Sequence, residues 1–173
     1  QLNSDGMMAT LNPLGENVVG PDQVADATDA YVELLDRIAA EQLDCNVSIK
    51  LTLLGLDLDI GLATANLQRV LSKAAEHDNF VRVDMEASEY VEATLSIAKR
   101  LRQRFDNFGL VLQSYLRRTE QDVEALLQTG TSLRIVKGAY DEPEHVAFAS
   151  KHDVDKSYVH ILDRLAEGDA RGK

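Results

Sequence analysis

Short apolar runs alternate along this chain with longer segments whose apolar positions recur at helical spacing. Residues 7–11 are apolar and short, the mark of a strand, and Pro13 and Gly15 make 12–16 a loop. Pro21 and Asp22 open a helix in which Val24, Ala27, Tyr31, Leu34, Leu35 and Ile38 form one buried stripe. Residues 46–52 alternate sharply, with Val47, Ile49 and Leu51 on one side and Ser48, Lys50 and Thr52 on the other. A loop over 53–61 and a helix over 62–77 follow. The third strand is 80–85, with Val81, Val83 and Met85 on one face and Arg82 and Asp84 on the other. Ser88 is placed to cap a helix over 89–104. The fourth strand is 108–115. Thr119 is placed to cap a helix that buries Val123, Leu126 and Leu127 and ends at Gly130. The fifth strand, 132–136, reads as buried. From Pro143 a helical region runs to about residue 166 with a break near Asp153, and the polar stretch 167–173 is expected to fray.

Five strand–helix units in strict alternation imply a parallel sheet covered by helices. That leaves an open doubly wound sheet or a (β/α)8 barrel. Parallel strands in an open sheet are apolar on both faces. The second and third strands here are apolar on one face only, which suits a barrel lumen and also an edge strand facing water. No linker or low-complexity stretch divides 1–173, so a single domain is expected.

Composition narrows the partners. Asp and Glu number 29 against 18 Lys and Arg, a formal net charge of −11. An acidic chain lacks the basic face that displaces counterions from nucleic acid, and it disfavours broad binding to an anionic membrane surface. Cys45 is the one cysteine, which excludes an intrachain disulfide and fits a reducing, cytoplasmic compartment. At the start of a strand it reads as a small core residue. No apolar run approaches the ~18 residues of a membrane span, and no signal peptide is visible.

Ligands of parallel α/β folds bind at the carboxyl ends of the strands. Each expected strand delivers a polar group there: Glu16, Lys50, Asp84, Gln113, and Arg134 with Lys137. One such group is an ordinary solvated charge. Five strands acting alike point to a site, because buried charges are costly unless paired or used. The stretch 133–140, LRIVKGAY, puts two cations beside Gly138, Ala139 and the ring of Tyr140. Cations beside small residues suit a flat, partly anionic ligand such as a flavin nucleotide. No Cys/His cluster has metal spacing, and His77, His145, His152 and His160 fall in or beside helices. No serine elbow and no glycine-rich dinucleotide fingerprint occurs. The residues alone therefore allow a carboxylate substrate with a phosphate-bearing cofactor, or a Schiff-base lysine of an aldolase. A non-catalytic fragment whose sheet edges pair with another chain is a third reading.

Four motifs, SIKLTLLGLDL at 48–58, VRVDME at 81–86, VLQSYLRR at 111–118 and LRIVKGAY at 133–140, together resemble the proline dehydrogenase family, with Leu14-Gly15-Glu16 matching its first-strand turn. The 48–58 version is more similar to the monofunctional bacterial enzymes than to the bifunctional proline utilization proteins. The resemblance implies a (β/α)8 barrel of the TIM type with bound FAD. It implies that Lys50 holds the substrate carboxylate and that Asp84 and Arg134 are the active-site pair, Arg134 lying near the flavin's reactive nitrogen. Met85, Gln113, Lys137, Gly138 and Ala139 would contact FAD, Tyr140 would pack on the substrate ring, and Glu16 would pair with an arginine of the last helix. The implied reaction oxidises L-proline to Δ1-pyrroline-5-carboxylate and passes electrons to a membrane quinone, from the cytoplasm or the inner face of the membrane. A (β/α)8 barrel needs eight units, and this chain supplies five. It is therefore expected to be part of a longer enzyme, from the first strand to the helix after the fifth, and inactive alone.

Overall fold

The computed structural model describes residues 2–15, 18 and 20–171, with side chains given as far as residue 167. Among these residues lie five strands, five α-helices and one short 3-10 turn, Asn3–Asp5. In chain order they are β1 (Ala9–Leu11), α1 (Pro21–Ala40), β2 (Cys45–Ile49), α2 (Ile60–Glu76), β3 (Val81–Val83), α3 (Ser88–Leu101), β4 (Phe108–Gln113), α4 (Thr119–Leu127), β5 (Ser132–Val136) and α5 (Lys151–Arg171). The strands follow one another in the sheet, β1-β2-β3-β4-β5, and β1, β2 and β3 pair in parallel. All five strand–helix units expected from the hydrophobic pattern are present.

The chain divides into two compact units, Gln1–Asp84 with Ala93–Gly109, and Met85–Glu92 with Leu110–Lys173. In the first, α1 packs on α2 and on β2. Val24, Tyr31, Leu35 and Ile38 are buried as the stripe predicts, joined by Thr28, whose hydroxyl donates to the Val24 carbonyl at 2.8 Å. That bond lets a polar residue sit in the stripe where Ala27 was expected. Strand β2 buries Val47, Ser48 and Ile49, so both of its faces are covered. The expected strand end at Leu51 and Thr52 is instead a tight turn. The N–H groups of Leu54 and Leu56 return to the Leu51 carbonyl at 3.0 Å, and Leu51, Leu53 and Leu54 are buried. Those internal bonds allow a loop to lie in the core. Gly55 makes the turn possible, with φ +95. A Cβ there would sit 3.0 Å from Leu62 and 3.2 Å from Val24.

In the second unit, α4 packs on α5 and α5 on β5. Several expected boundaries move. Strand β1 begins at Ala9, since Met7 and Met8 are exposed and only Ala9–Leu11 meets β2. Neither Ser88 nor Thr119 acts as the expected N-cap. Ser88 is already helical, and its hydroxyl donates to Glu142 at 2.5 Å. The Thr119 hydroxyl donates to the Gln113 carbonyl at 2.6 Å. Helix α3 closes at Leu101 rather than 104. The last helix starts at Lys151, not near Pro143, because Ser150 accepts from the Asp153 N–H at 3.1 Å and donates to its carboxylate at 2.8 Å. That reciprocal cap is a start signal. The same helix continues to Arg171, where a structureless end was expected from 167; Gly172 and Lys173 lie outside the described residues. Strand β5 is half-buried rather than buried, because it is terminal in the sheet order. Cys45 is likewise half-buried at the first position of β2.

Helix α5 is tied to the end of β5 by charge. The Asp155 carboxylate meets Lys137 at 2.6 Å and Lys151 at 2.7 Å. The Lys137 ammonium, and then that of Lys151, holds the carboxyl down at about 2, against an ordinary value of 3.8.

Two outcomes follow from this packing. Gly55→Ala places a side chain at a positive φ and against Val24 and Leu62, and is expected to destabilise the fold by about 1–3 kcal/mol, read as a lower urea midpoint with unchanged slope. For Asp155 the folded pKa lies below the unfolded one, so its contribution is present above about pH 4 and lost as pH falls towards 2. Parent and Asp155→Asn should therefore differ in thermal midpoint at pH 6, and the difference should shrink across pH 4 to 2.

Candidate active site

Side chains beyond the ends of parallel strands have no ladder to join, so what they bond decides how they are held. In the first unit the expected residues Lys50 and Asp84 each stand one position beyond a strand, β2 and β3, and both are half-buried. Asp84 is fixed twice. Its N–H donates to the Ile49 carbonyl at 2.9 Å, and its carboxylate accepts the Ser48 hydroxyl at 2.5 Å. A hydroxyl on an ionised carboxylate makes a short, strong bond. Ser48 is itself held, because the buried Tyr31 hydroxyl donates to its carbonyl at 2.9 Å. A chain of contacts thus runs from α1 through β2 to the Asp84 carboxylate. In the sequence Ser48 is marked only as a polar position of the second strand. Its spacing of two from Lys50 put it on the same strand face, which was the available signal. Glu16 lies outside the described residues.

In the second unit Met85 and Gln113 are buried, at 6% and 3% exposure. A buried carboxamide needs partners, and the Gln113 side-chain amide donates to the Glu86 carbonyl at 2.9 Å. Gln113 thereby joins the end of β4 to the segment after β3. Arg134 lies in the middle of β5, half-buried, rather than at its carboxyl end. Lys137 and Ala139 are exposed and Gly138 and Tyr140 half-buried. The Lys137 ammonium is engaged by Asp155 and lies 5.8 Å from the Tyr158 ring centroid.

Gly138 is constrained by its neighbour. With φ +112, its backbone lies against the Tyr115 ring so closely that a Cβ would overlap ring carbons. Ser114 and Tyr115 donate backbone N–H groups to the carbonyls of Val136 and Lys137 at 2.8 and 2.9 Å. The glycine therefore lets the chain run flat across a buried tyrosine. Burial pushes the Tyr115 hydroxyl up to about 12, and the neighbouring Glu142 carboxylate adds to the shift. Tyr115 stays a neutral phenol over the working pH range. Sequence reading gave it no role.

The donor set of this unit is a guanidinium, an ammonium, a carboxamide, and a glycine–alanine backbone free of bulk. That chemistry fits a flat, phosphate-bearing group such as FAD. Among the described residues no cluster of His, Cys, Asp and Glu has the arrangement of a metal site. Among the described residues no helix is long and apolar enough to cross a membrane.

Known proteins share this sequence and this fold. The profile of the proline dehydrogenase family matches residues 1–172. Proline dehydrogenase 2 of Bacillus subtilis is 40% identical over 162 residues, which cover 94% of this chain and 54% of that protein. The proline dehydrogenase of Deinococcus radiodurans is 36% identical over 166 residues, 93% of this chain and 54% of that one. The chain thus spans about half the length of the curated relatives it matches. Among solved structures, proline utilization A from Bdellovibrio bacteriovorus, inactivated by N-propargylglycine, superposes with a TM-score of 0.81 at 25% identity, over 94% of this chain and 22% of that one. Proline utilization A from Corynebacterium freiburgense has the same fold over 93% of this chain and 20% of its own, with a TM-score of 0.77 and 23% identity. Motifs that are ordinary singly occur here in one order on one sheet, and the chain belongs to the proline dehydrogenase family.

Proposed function

We propose that this chain is part of a flavoenzyme that oxidises L-proline to Δ1-pyrroline-5-carboxylate in proline catabolism. The five strand–helix units form the first part of a single (β/α)8 barrel domain in this reading. The observation that carries it is the Lys137-Gly138-Ala139 segment, whose bare backbone is held flat on Tyr115 beside two cations. Bare backbone beside cationic side chains suits an anionic, planar cofactor. The family match supports the substrate.

FAD, when bound, supplies the two-electron acceptor, and the protein's task is binding and electrostatics. Met85, Gln113, Arg134, Lys137, Gly138 and Ala139 would hold it. The Arg134 guanidinium supplies positive charge where reduction adds negative charge. Lys50 binds the carboxylate of proline as a point charge, and Tyr140 packs on the pyrrolidine ring. Asp84, its carboxylate held by the Ser48 hydroxyl, is the acidic member of the site in this reading. Glu16 pairs with an arginine outside these residues. Electrons leave to a membrane quinone, reached from the cytoplasmic side.

The test uses a chain of the relatives' full length that contains these residues. It should purify with bound flavin, bleach on addition of proline, and be inactivated by N-propargylglycine. Absence of flavin, or covalent trapping of a carbonyl compound on Lys50 or Lys137 by borohydride, would overturn the reading.

Two substitutions separate the roles. Arg134→Met should slow flavin reduction by proline by about 2–4 kcal/mol in barrier, in the range of a lost electrostatic stabiliser, while the melting temperature changes little. Stopped-flow absorbance checks it, and an unchanged rate removes Arg134 from the site. Lys50→Ala should weaken a proline-like carboxylate inhibitor by about 1.5–3 kcal/mol, measured as the inhibitor's dissociation constant. Equal affinity in mutant and parent would exclude Lys50.

A further inference from the structure

The connection from β5 to α5 carries a carboxylate that the flavin reading leaves without a task. Glu142 is half-buried, two residues beyond Tyr140. One of its oxygens accepts the Ser88 backbone N–H at 2.6 Å, and the other accepts the Ser88 hydroxyl at 2.5 Å. Ser88 is the first residue of α3, where N–H groups lack partners within the helix. A carboxylate there also meets the positive end of the helix dipole. The cap of α3 therefore comes from a residue 54 positions away in sequence, in a different strand–helix unit.

What this grip joins is specific. On one side are Met85 and Glu86, separated from Ser88 by Ala87, with Glu86 already held to β4 through Gln113. On the other are Lys137, Gly138 and Ala139, immediately before Tyr140. The connection carrying Glu142 is fastened at both of its ends to the residues after β4. Tyr115 donates to Lys137 at 2.9 Å before it. After it, Arg117 donates its N–H to the Val146 carbonyl at 3.0 Å and its side chain to the Glu144 carbonyl at 3.0 Å, and Phe148 donates to Tyr115 at 2.8 Å. The Arg117 guanidinium also lies over the Phe148 ring, 4.7 Å from its centroid. Between these fastenings Glu142 makes the side-chain tie to the start of α3.

We propose that Glu142 is a positioning residue for the cofactor site: by gripping Ser88 it sets Met85 against the Lys137–Gly138–Ala139 backbone, so that both segments meet one flavin. The proposal rests on the flavin reading above. It needs no titration of Glu142, only its two acceptor oxygens. Glutamine retains the arrangement, since its carbonyl accepts the N–H and its amide donates to the hydroxyl. Alanine removes it.

The experiment removes flavin from the full-length protein and titrates FAD back by fluorescence quenching, with the melting temperature of the flavin-free protein recorded alongside. Glu142→Ala should weaken FAD about tenfold, the effect of losing hydrogen bonds to a charged group, and Ser88→Ala, which keeps the backbone N–H bond, should weaken it measurably but less. The double substitution should be no weaker than Glu142→Ala within about twofold, because the two residues act as one contact. The visible circular dichroism of bound flavin should change in Glu142→Ala and return to the parent form in Glu142→Gln. Unchanged affinity and spectrum in Glu142→Ala, with only a lower melting temperature, would overturn the proposal and leave a helix cap. Additive effects of the two single substitutions would overturn it equally. Should Glu142→Ala fail to fold, Ser88→Ala and Glu142→Gln decide it: weakened FAD in the first with parent-like binding in the second supports the grip, and any other pair of results sinks it. A parent protein that takes up no FAD defeats the flavin reading itself, whereas a parent that binds FAD beside indifferent variants defeats only the role of Glu142.

Discussion

A parallel ladder ends with backbone carbonyls and N–H groups that no neighbouring strand can satisfy, and much of this structure answers that constraint. An unpaired buried peptide group costs about as much as a lost hydrogen bond, ~1–3 kcal/mol. Here polar side chains from adjoining elements close the gaps. The Tyr31 hydroxyl reaches the Ser48 carbonyl, the Gln113 amide the Glu86 carbonyl, and the Thr119 hydroxyl the Gln113 carbonyl. The carboxyl ends of the strands thereby become rigid without becoming apolar, which a binding surface for a polar ligand requires.

The same economy governs the segment after β5. A chain crossing a buried aromatic ring at close range admits no side chain, so glycine is required at 138. Once the backbone lies flat there, its carbonyls find partners in Ser114 and Tyr115, and the connection returns to pair with the residues after β4. Packing, hydrogen bonding and backbone freedom converge on one short segment. It also carries Lys137, with Arg134 three positions earlier in β5.

Charges are treated differently inside and outside. The exposed pair of Arg37 with Glu41 lies along α1 and that of Arg69 with Asp29 joins α2 to α1, both in water, where such pairs contribute little. Arg118 is more consequential, because it spans from the nearly buried Asp122 of α4 to Glu92 of α3. Its guanidinium is raised still further by the bond to Asp122. Removing Arg118 would leave the nearly buried Asp122 carboxylate without its guanidinium.

The sequence by itself determined the alternation of strands and helices, because the burial period differs between them and is written in the residues. Residues 132–136 match β5 at both ends, and Pro21 opens α1 as read. The rim positions were also legible, since Lys50, Asp84 and Gln113 each fall at or just past a strand end. Motif order brought the family into view before any geometry. Helix starts were less legible. Ser88 and Thr119 have the residue types of local caps, yet their hydroxyls serve Glu142 and Gln113. A hydroxyl bonds whichever group the fold brings near, and nothing local in sequence says that Glu142 will arrive at Ser88. Nor could the sequence reveal that Ser48 holds Asp84, or that Tyr115 is the floor beneath Gly138. Periodicity records which face of an element is buried. Only tertiary structure decides which distant groups share that buried space, because that depends on the path of the chain between them.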